Sequence, residues 1–390
     1  MLTRRTLLAN ASAASIFSAA GGMPLKAWSQ TNPKPAMIVH RGFPLNAEPR
    51  SAKLAASFIT PQADFYIRCH GTIPQIAAEG FKLKVGGRGA TTPLELSVSE
   101  MRSRFPERKV IAVMQCAGNR RSDMAEVKHV PGDAWGPGAI SNAEWSGVAL
   151  SDVLKAAGAP DDPRLHVAFA CHDEIDEDGE RFKYGVSIPM AKAMASETIL
   201  AFAMNGEPLS PEHGFPVRVV TPGYAGVRSP KWLAAITVQD HPSDSPIQQK
   251  NYKLFPSNVT KETVDYAKGF TIDDMPLNSA ICEPAEGAKL GAGQVAVRGY
   301  AIATGRPIIR VDVSSDEGKT WTQAELDRRT DAPWSWTLWS VKLDLAKGER
   351  ELVVRAWDAA GETQTSSTAE IWNFPGYLST AWHRVKVRVG

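Results

Sequence analysis

With 390 residues, 43% of them hydrophobic and 22% charged, the chain has the composition of a folded globular protein long enough for two or three domains. That excludes collagenous, disordered and polytopic membrane classes. A formal net charge of only +2 implies no nucleic-acid partner, and four cysteines are too few for a disulfide scaffold. The chain opens on Thr3-Arg4-Arg5-Thr6-Leu7-Leu8, a twin arginine ahead of the weakly apolar run Ala9 to Ala20, and Ala27-Trp28-Ser29 supplies small residues at cleavage spacing. The run is short and rich in Ala and Ser, unlike a membrane span of about 20 apolar residues. Residues 1–29 are therefore expected to be a removed twin-arginine signal, leaving a periplasmic protein with no membrane anchor. That route carries proteins already folded, often around a cofactor.

From 30 to 265 short β-rich runs alternate with helix-like pieces, predicting a first domain of α+β type. Phe81 to Val85 has strand character, and Ser97-Val98-Ser99-Glu100 is a capping box opening a short helix to Phe105. Val110 to Met114 is a buried-strand candidate that delivers Gln115 and Cys116 at its end. Leu165, Val167 and Phe169 alternate, and Ile199 to Met204, the Asn205-Gly206 turn and Phe215 to Val220 continue the mixed pattern. A polar connector from Tyr252 to Met275 leads into the second domain, 266–390. Six short strands there (Val295–Tyr300, Ile308–Val313, Trp321–Leu326, Trp336–Leu343, Glu351–Trp357, Val385–Val389) predict a β-sandwich. Trp321, Trp334, Trp336, Trp339 and Trp357 suit its core or an intersubunit seam.

The segment that bears chemistry is Met114-Gln115-Cys116-Ala117-Gly118-Asn119-Arg120-Arg121. A thiolate is both a soft metal ligand and a nucleophile, and neighbouring guanidinium charge favours it. The segment resembles the molybdenum-cysteine motif of the sulfite oxidase family. Further resemblances follow in order: Arg68-Cys69-His70-Gly71, Trp135-Gly136-Pro137-Gly138, Tyr184-Gly185-Val186-Ser187, His213-Gly214-Phe215-Pro216-Val217-Arg218, Arg228-Ser229-Pro230-Lys231-Trp232, Ile371-Trp372-Asn373 and Ala381-Trp382-His383-Arg384-Val385.

This resemblance implies a mixed α/β sulfite-oxidase-type molybdopterin domain followed by an immunoglobulin-like β-sandwich that dimerises the protein. It implies a molybdenum-pyranopterin cofactor whose metal is held by Cys116, and oxidation of sulfite to sulfate by oxo transfer. Arg68 and Arg121 would hold the oxyanion, for which planar guanidinium forks are better suited than lysines. Trp135 would line the substrate pocket, the Tyr184 phenol would stand beside the metal's exchangeable oxygen, and His70 would support Arg68 or the cofactor. Asp173 would contact the pterin, and His213, Arg218, Ser229 and Lys231 its phosphate. An arginine from the second domain completes the family's pocket; Arg328 and Arg329 lie in the right stretch, before Trp334-Ser335-Trp336, without a firm match.

No His-Pro-Gly-Gly haem core is present, and Cys171-His172 lacks the partner cysteine of a c-type haem site because position 168 is Ala. No intrinsic haem is expected, and electrons would leave one at a time to an external c-type cytochrome. Gly318-Lys319-Thr320 has the look of a hairpin tip rather than a phosphate loop, because position 313 is Val. The acidic stretch from Asp173 to Glu180 has the composition of a solvated loop. Two alternatives stand beside sulfite oxidation: a sulfane-sulfur dehydrogenase subunit of a thiosulfate-oxidising complex, and a non-catalytic exported binding protein.

Overall fold

The computed structural model describes residues 37–390; the expected signal segment lies outside the described residues. In residues 37–271 the strands form a three-stranded sheet, two five-stranded sheets and a small ribbon. One five-stranded sheet orders Glu207–Pro208, Ile199–Met204, Ile140–Ala149 and Glu107–Gln115, with Arg218–Val220 paired to Ile199–Met204. The other orders Leu94–Leu96, Leu83–Gly87, Leu233–Gln239, His166–Glu177 and Glu180–Pro189. Leu83–Gly87 and Leu233–Gln239 run parallel, the rest of this sheet antiparallel. Leu83, Leu96, Val167, Phe169, Val186 and Leu200 join the main core, to which both sheets contribute.

Local chemistry explains the helix at Val98–Arg104. The Ser97 hydroxyl accepts from the Glu100 N–H while the Glu100 carboxylate accepts from the Ser97 N–H, so two donors at the helix start are satisfied reciprocally. Ile199–Met204 is buried at all six positions because both its faces are covered. Leu200 and Phe202 enter the main core, whereas Ile199 and Ala201 pack on the opposite side with Cys116 and Trp135. The acidic stretch is a hairpin tip rather than an irregular loop: His166–Glu177 and Glu180–Pro189 meet through Asp178 and Gly179, both at positive φ. Only its outer part is solvated, since Asp173 is buried.

Residues 278–389 form a sandwich of a four-stranded and a five-stranded sheet. Five of the six predicted strands are present, four with longer bounds and the fifth shifted to Thr337–Leu345, but Trp321–Leu326 is not one strand. It divides into Thr322–Gln323 on the five-stranded sheet and Glu325–Asp327 on the four-stranded one, crossing between sheets at the buried Ala324. An additional strand, Asn278–Glu283, has no polar–apolar alternation because Ile281 faces the sandwich core while Ala280 and Cys282 face the first domain's Leu54, Val113 and Ile140. The tryptophans separate in the same way. Trp339 belongs to the sandwich core, and Trp336 stacks on Tyr300 at the seam between the domains and donates to the Phe58 carbonyl.

That seam is specific. The Val113 N–H donates to the Trp334 carbonyl, Asn119 Nδ2 donates to the Tyr300 hydroxyl, and Tyr300 donates to the Pro137 carbonyl. Arg120, fully buried and at φ 62°, turns away from Cys116 and donates to Asn278 Oδ1 and to the Ser279 and Ala381 carbonyls. Among the described residues no helix is long and apolar enough to cross a membrane.

Candidate molybdenum-cofactor site

Glu107–Gln115 is exposed at its start and buried at its end, so the chain enters the interior just where it reaches Cys116. All four cysteines are buried free thiols. Cys116 is held by its N–H on the Ala139 carbonyl, and the Gly118 N–H points at its Sγ from 3.4 Å. The loop opposite is fixed by Glu48, a buried carboxylate that accepts from the Gly136 and Gly138 N–H groups and pairs with His40. Glu48 is an important anchor with no signal in the sequence.

Cys116 lines a cavity in the first domain. Of the other ten predicted site residues, Arg68, His70, Asp173, Tyr184, His213, Arg218, Ser229 and Lys231 line the same cavity, although they come from positions 68 to 231 of the chain. Trp135 and Arg121 do not. Trp135 is fully buried in the cluster that contains Cys116, its ring against His40. It supports the loop and is not on the cavity wall. Arg121 lies behind the Cys116 turn, its guanidinium pressed against Gly118, Gly132 and Gly376, where a Cβ would clash with it. It donates to the Gly376 and Asp133 carbonyls.

The phenol assignment also needs correction. Tyr184 donates its hydroxyl to the Val227 carbonyl at 2.7 Å, so that O–H is committed to the wall. The phenol beside the cavity's cations is Tyr252, in the segment predicted as a connector, and its hydroxyl lies 2.6 Å from His70 Nε2. His70 therefore pairs with Tyr252 rather than with Arg68. Arg68 donates to the Cys69 carbonyl and, at 3.4 Å, to Asn46 Oδ1. Arg328 and Arg329 do not reach the site: one donates to the Ile309 carbonyl, the other pairs with Asp327 and lies over Phe58.

The cavity's electrostatics follow from burial. Burial opposes the charge on Arg68, but the Tyr252 phenol and the Cys116 sulfur facing it more than offset this, so the guanidinium holds its proton more tightly than usual. Burial, then the charges of Arg68 and Lys231, push His70 well down, leaving a neutral imidazole beside a phenol whose own value burial raises. Burial also lowers Lys231, and lowers Arg218 to about 10. Asp173, the one carboxylate on the wall, is pushed up to about 7 by burial against the pull of Lys231.

A phosphate-bearing pterin needs cationic donors at one end and a polar partner for its ring at the other. The cavity has Arg218 and Lys231 for the first, while the buried Asp173 Oδ1 has no hydrogen-bond partner and is available for the second. Together with the Cys116 thiol, these residues fit the cofactor. The Arg218 and Lys231 donors bind the Ser229 and Glu212 carbonyls, which fixes both cations in the wall.

Asp173 gives a testable pH dependence. Its folded value of about 7 lies above its ordinary 3.8, so the folded chain keeps the proton where the unfolded chain loses it. Stability of the cofactor-free protein should thus fall as pH rises between those values, by about 1.4 kcal/mol per unit of separation. Asp173→Asn should melt with the wild type at pH 3.5 and above it at pH 8; equal melting temperatures at pH 8 would refute the assignment.

A cysteine-ended strand beside a cationic cavity, in a chain that continues into a β-sandwich, fits an oxidoreductase built around a molybdopterin cofactor. Residues 70–247 match the oxidoreductase molybdopterin binding domain, and residues 269–390 the Mo-co oxidoreductase dimerisation domain. Mitochondrial sulfite oxidase of Homo sapiens is 43% identical over 91% of this chain, which spans 66% of that protein's length. Sulfite oxidase of Arabidopsis thaliana is 36% identical, covering 93% of this chain and 97% of the plant protein. The crystal structure of the sulfane dehydrogenase SoxCD from Paracoccus pantotrophus superposes with a TM-score of 0.75 at 25% identity, covering 96% of this chain and 93% of that one. The chain belongs to the sulfite oxidase family.

Proposed function

We propose that the protein oxidises sulfite to sulfate in the periplasm, as a homodimer that passes electrons to a separate c-type cytochrome. The observation that carries this reading is the placement of Cys116, Arg68 and Lys231 on one cavity where, among the described residues, the single lining carboxylate is the buried Asp173. Such a cavity favours a small anion beside a thiol. The overall reaction takes one water and releases two electrons and two protons with each sulfate. When bound, the molybdenum centre supplies the transferable oxygen and accepts the electron pair. Arg68 would bind the oxyanion, and Arg121 would add its positive charge from behind the Cys116 turn. The neutral Tyr252–His70 pair holds a proton at the Tyr252 hydroxyl, next to the anion. His213, Arg218, Ser229 and Lys231 hold the phosphate, and Asp173 the pterin ring.

The reading predicts sulfite-dependent reduction of cytochrome c by molybdenum-loaded protein. Loaded protein that leaves the cytochrome oxidised in saturating sulfite would contradict it. Arg68→Gln removes charge-assisted bonds worth about 1.5–3 kcal/mol each and should raise the sulfite KM at least tenfold. An unchanged KM would place Arg68 away from substrate.

The likeness to the sulfane dehydrogenase favours a second reading, oxidation of sulfane sulfur as a subunit of a thiosulfate-oxidising complex. Assays with each substrate alone distinguish the two. The non-catalytic reading is disfavoured by the convergence of the thiol and cations on one cavity.

A further inference from the structure

The second domain contributes to the site by an unexpected residue. Its segment from Asn373 to Leu378 contains no Lys or Arg, yet it reaches the backbone just after Cys116: the Leu378 N–H donates to the Ala117 carbonyl at 2.8 Å. The Asn373 side chain pins the segment by donating to the Tyr377 carbonyl and accepting from the Tyr377 N–H. Held in this way, the Tyr377 ring stacks on Tyr252 with centroids 5.2 Å apart and planes 15° apart. Its face also lies 5.2 Å from the Arg121 guanidinium, whose Nε is fixed on the Gly376 carbonyl. One half-buried ring therefore touches both the phenol that pairs with His70 and the arginine behind the Cys116 turn.

We infer that Tyr377 is a positioning residue for the anion pocket, through which the second domain sets Tyr252 and Arg121 with a neutral aromatic face. The inference rests on the reading above that Tyr252 stands next to an oxyanion and that Arg121 adds its charge from behind the Cys116 turn. A ring face attracts a guanidinium and restrains its plane without neutralising it, so the positive charge behind the Cys116 turn is kept. Stacking restrains Tyr252 as well. Neither ring contact uses the hydroxyl, which lies by the Tyr252 backbone instead. Tyr377→Phe keeps both ring contacts and should therefore stay close to wild type, whereas Tyr377→Leu loses them.

The test uses molybdenum-loaded protein and two readouts: sulfate binding by titration calorimetry, and the separate kcat and KM for sulfite. Tyr377→Leu should bind sulfate about tenfold more weakly, the scale of a desolvated cation–π contact. Its KM for sulfite should rise in proportion, with kcat within about twofold of wild type, and Tyr377→Phe should restore both. If the Leu variant fails to accumulate loaded, Tyr377→Met, closer to the ring in volume, must show the same shift. Sulfate affinity in the Leu or Met variant within twofold of wild type would overturn the inference. So would a Phe variant as impaired as Leu, or a loss that tracks molybdenum content. Wild-type protein that binds no sulfate would overturn this inference and the oxyanion reading together, whereas sulfate binding without sulfite turnover would overturn only the assigned reaction.

Discussion

Cys116→Ser should accumulate as a folded protein with sulfite turnover reduced by more than about a thousandfold, the scale expected for an essential catalytic group. Serine preserves the shape of the turn: the Cys116 N–H still reaches the Ala139 carbonyl, and the Gly118 N–H can meet an oxygen where it now meets sulfur. What changes is the ligand. A hydroxyl is a hard, weakly acidic donor and a poor substitute for a soft thiolate. The seam and both cores lie outside the change, so the thermal transition should stay close to wild type. Turnover by the serine variant within tenfold of wild type would remove Cys116 from the metal's coordination.

Arg120→Ala should cost about 3–5 kcal/mol, the usual scale for removing one member of a buried charged network. The side chain is fully buried and serves three acceptors in the second domain, besides pairing with Asp123 at 2.8 Å. Truncation leaves the Asn278 and Asp123 oxygens and two carbonyls short of donors. Arg120→Lys should recover only part of the loss, because one ammonium cannot span the same acceptors. Denaturant midpoints measure this directly. A midpoint for Arg120→Ala equal to wild type would show that the seam does not depend on this residue.

The two adjacent arginines show how far sequence reasoning reaches. Four and five residues after Cys116, Arg120 and Arg121 carry the same charge, and only the family resemblance singled out Arg121. The positive φ at Arg120 splits them: one side chain enters the domain seam, and the other lies behind the thiol among three glycines. No spacing rule encodes that divergence. The cavity residues were legible because each lies in a short segment that resembles the family's; their residue types alone did not single them out. Tyr252 was not, since its neighbours Gln249, Lys250, Asn251 and Lys253 are those of a polar connector, and only the fold brings its ring against His70. Tyr184 lies on the cavity with its hydroxyl committed to the wall, whereas Trp135, expected on the pocket, lies off it. The difference lies in which face of the loop is covered and in a single bond to the Val227 carbonyl.

The folds themselves were legible where one face is buried and the other wet. The alternation at Val385–Val389 marks such a strand. Asn278–Glu283 escaped because both its faces are covered, one by the sandwich core and one by the first domain. The divided segment around Ala324 escaped for a related reason: a chain crossing between sheets keeps its alternation while changing partners.

The central claim is that the Cys116 sulfur binds molybdenum in this cavity. Molybdenum K-edge absorption on the loaded wild type and on Cys116→Ser tests it without reference to turnover. The account predicts that the variant's metal loses one sulfur neighbour and gains a lighter one. Identical sulfur coordination in the two proteins would contradict it.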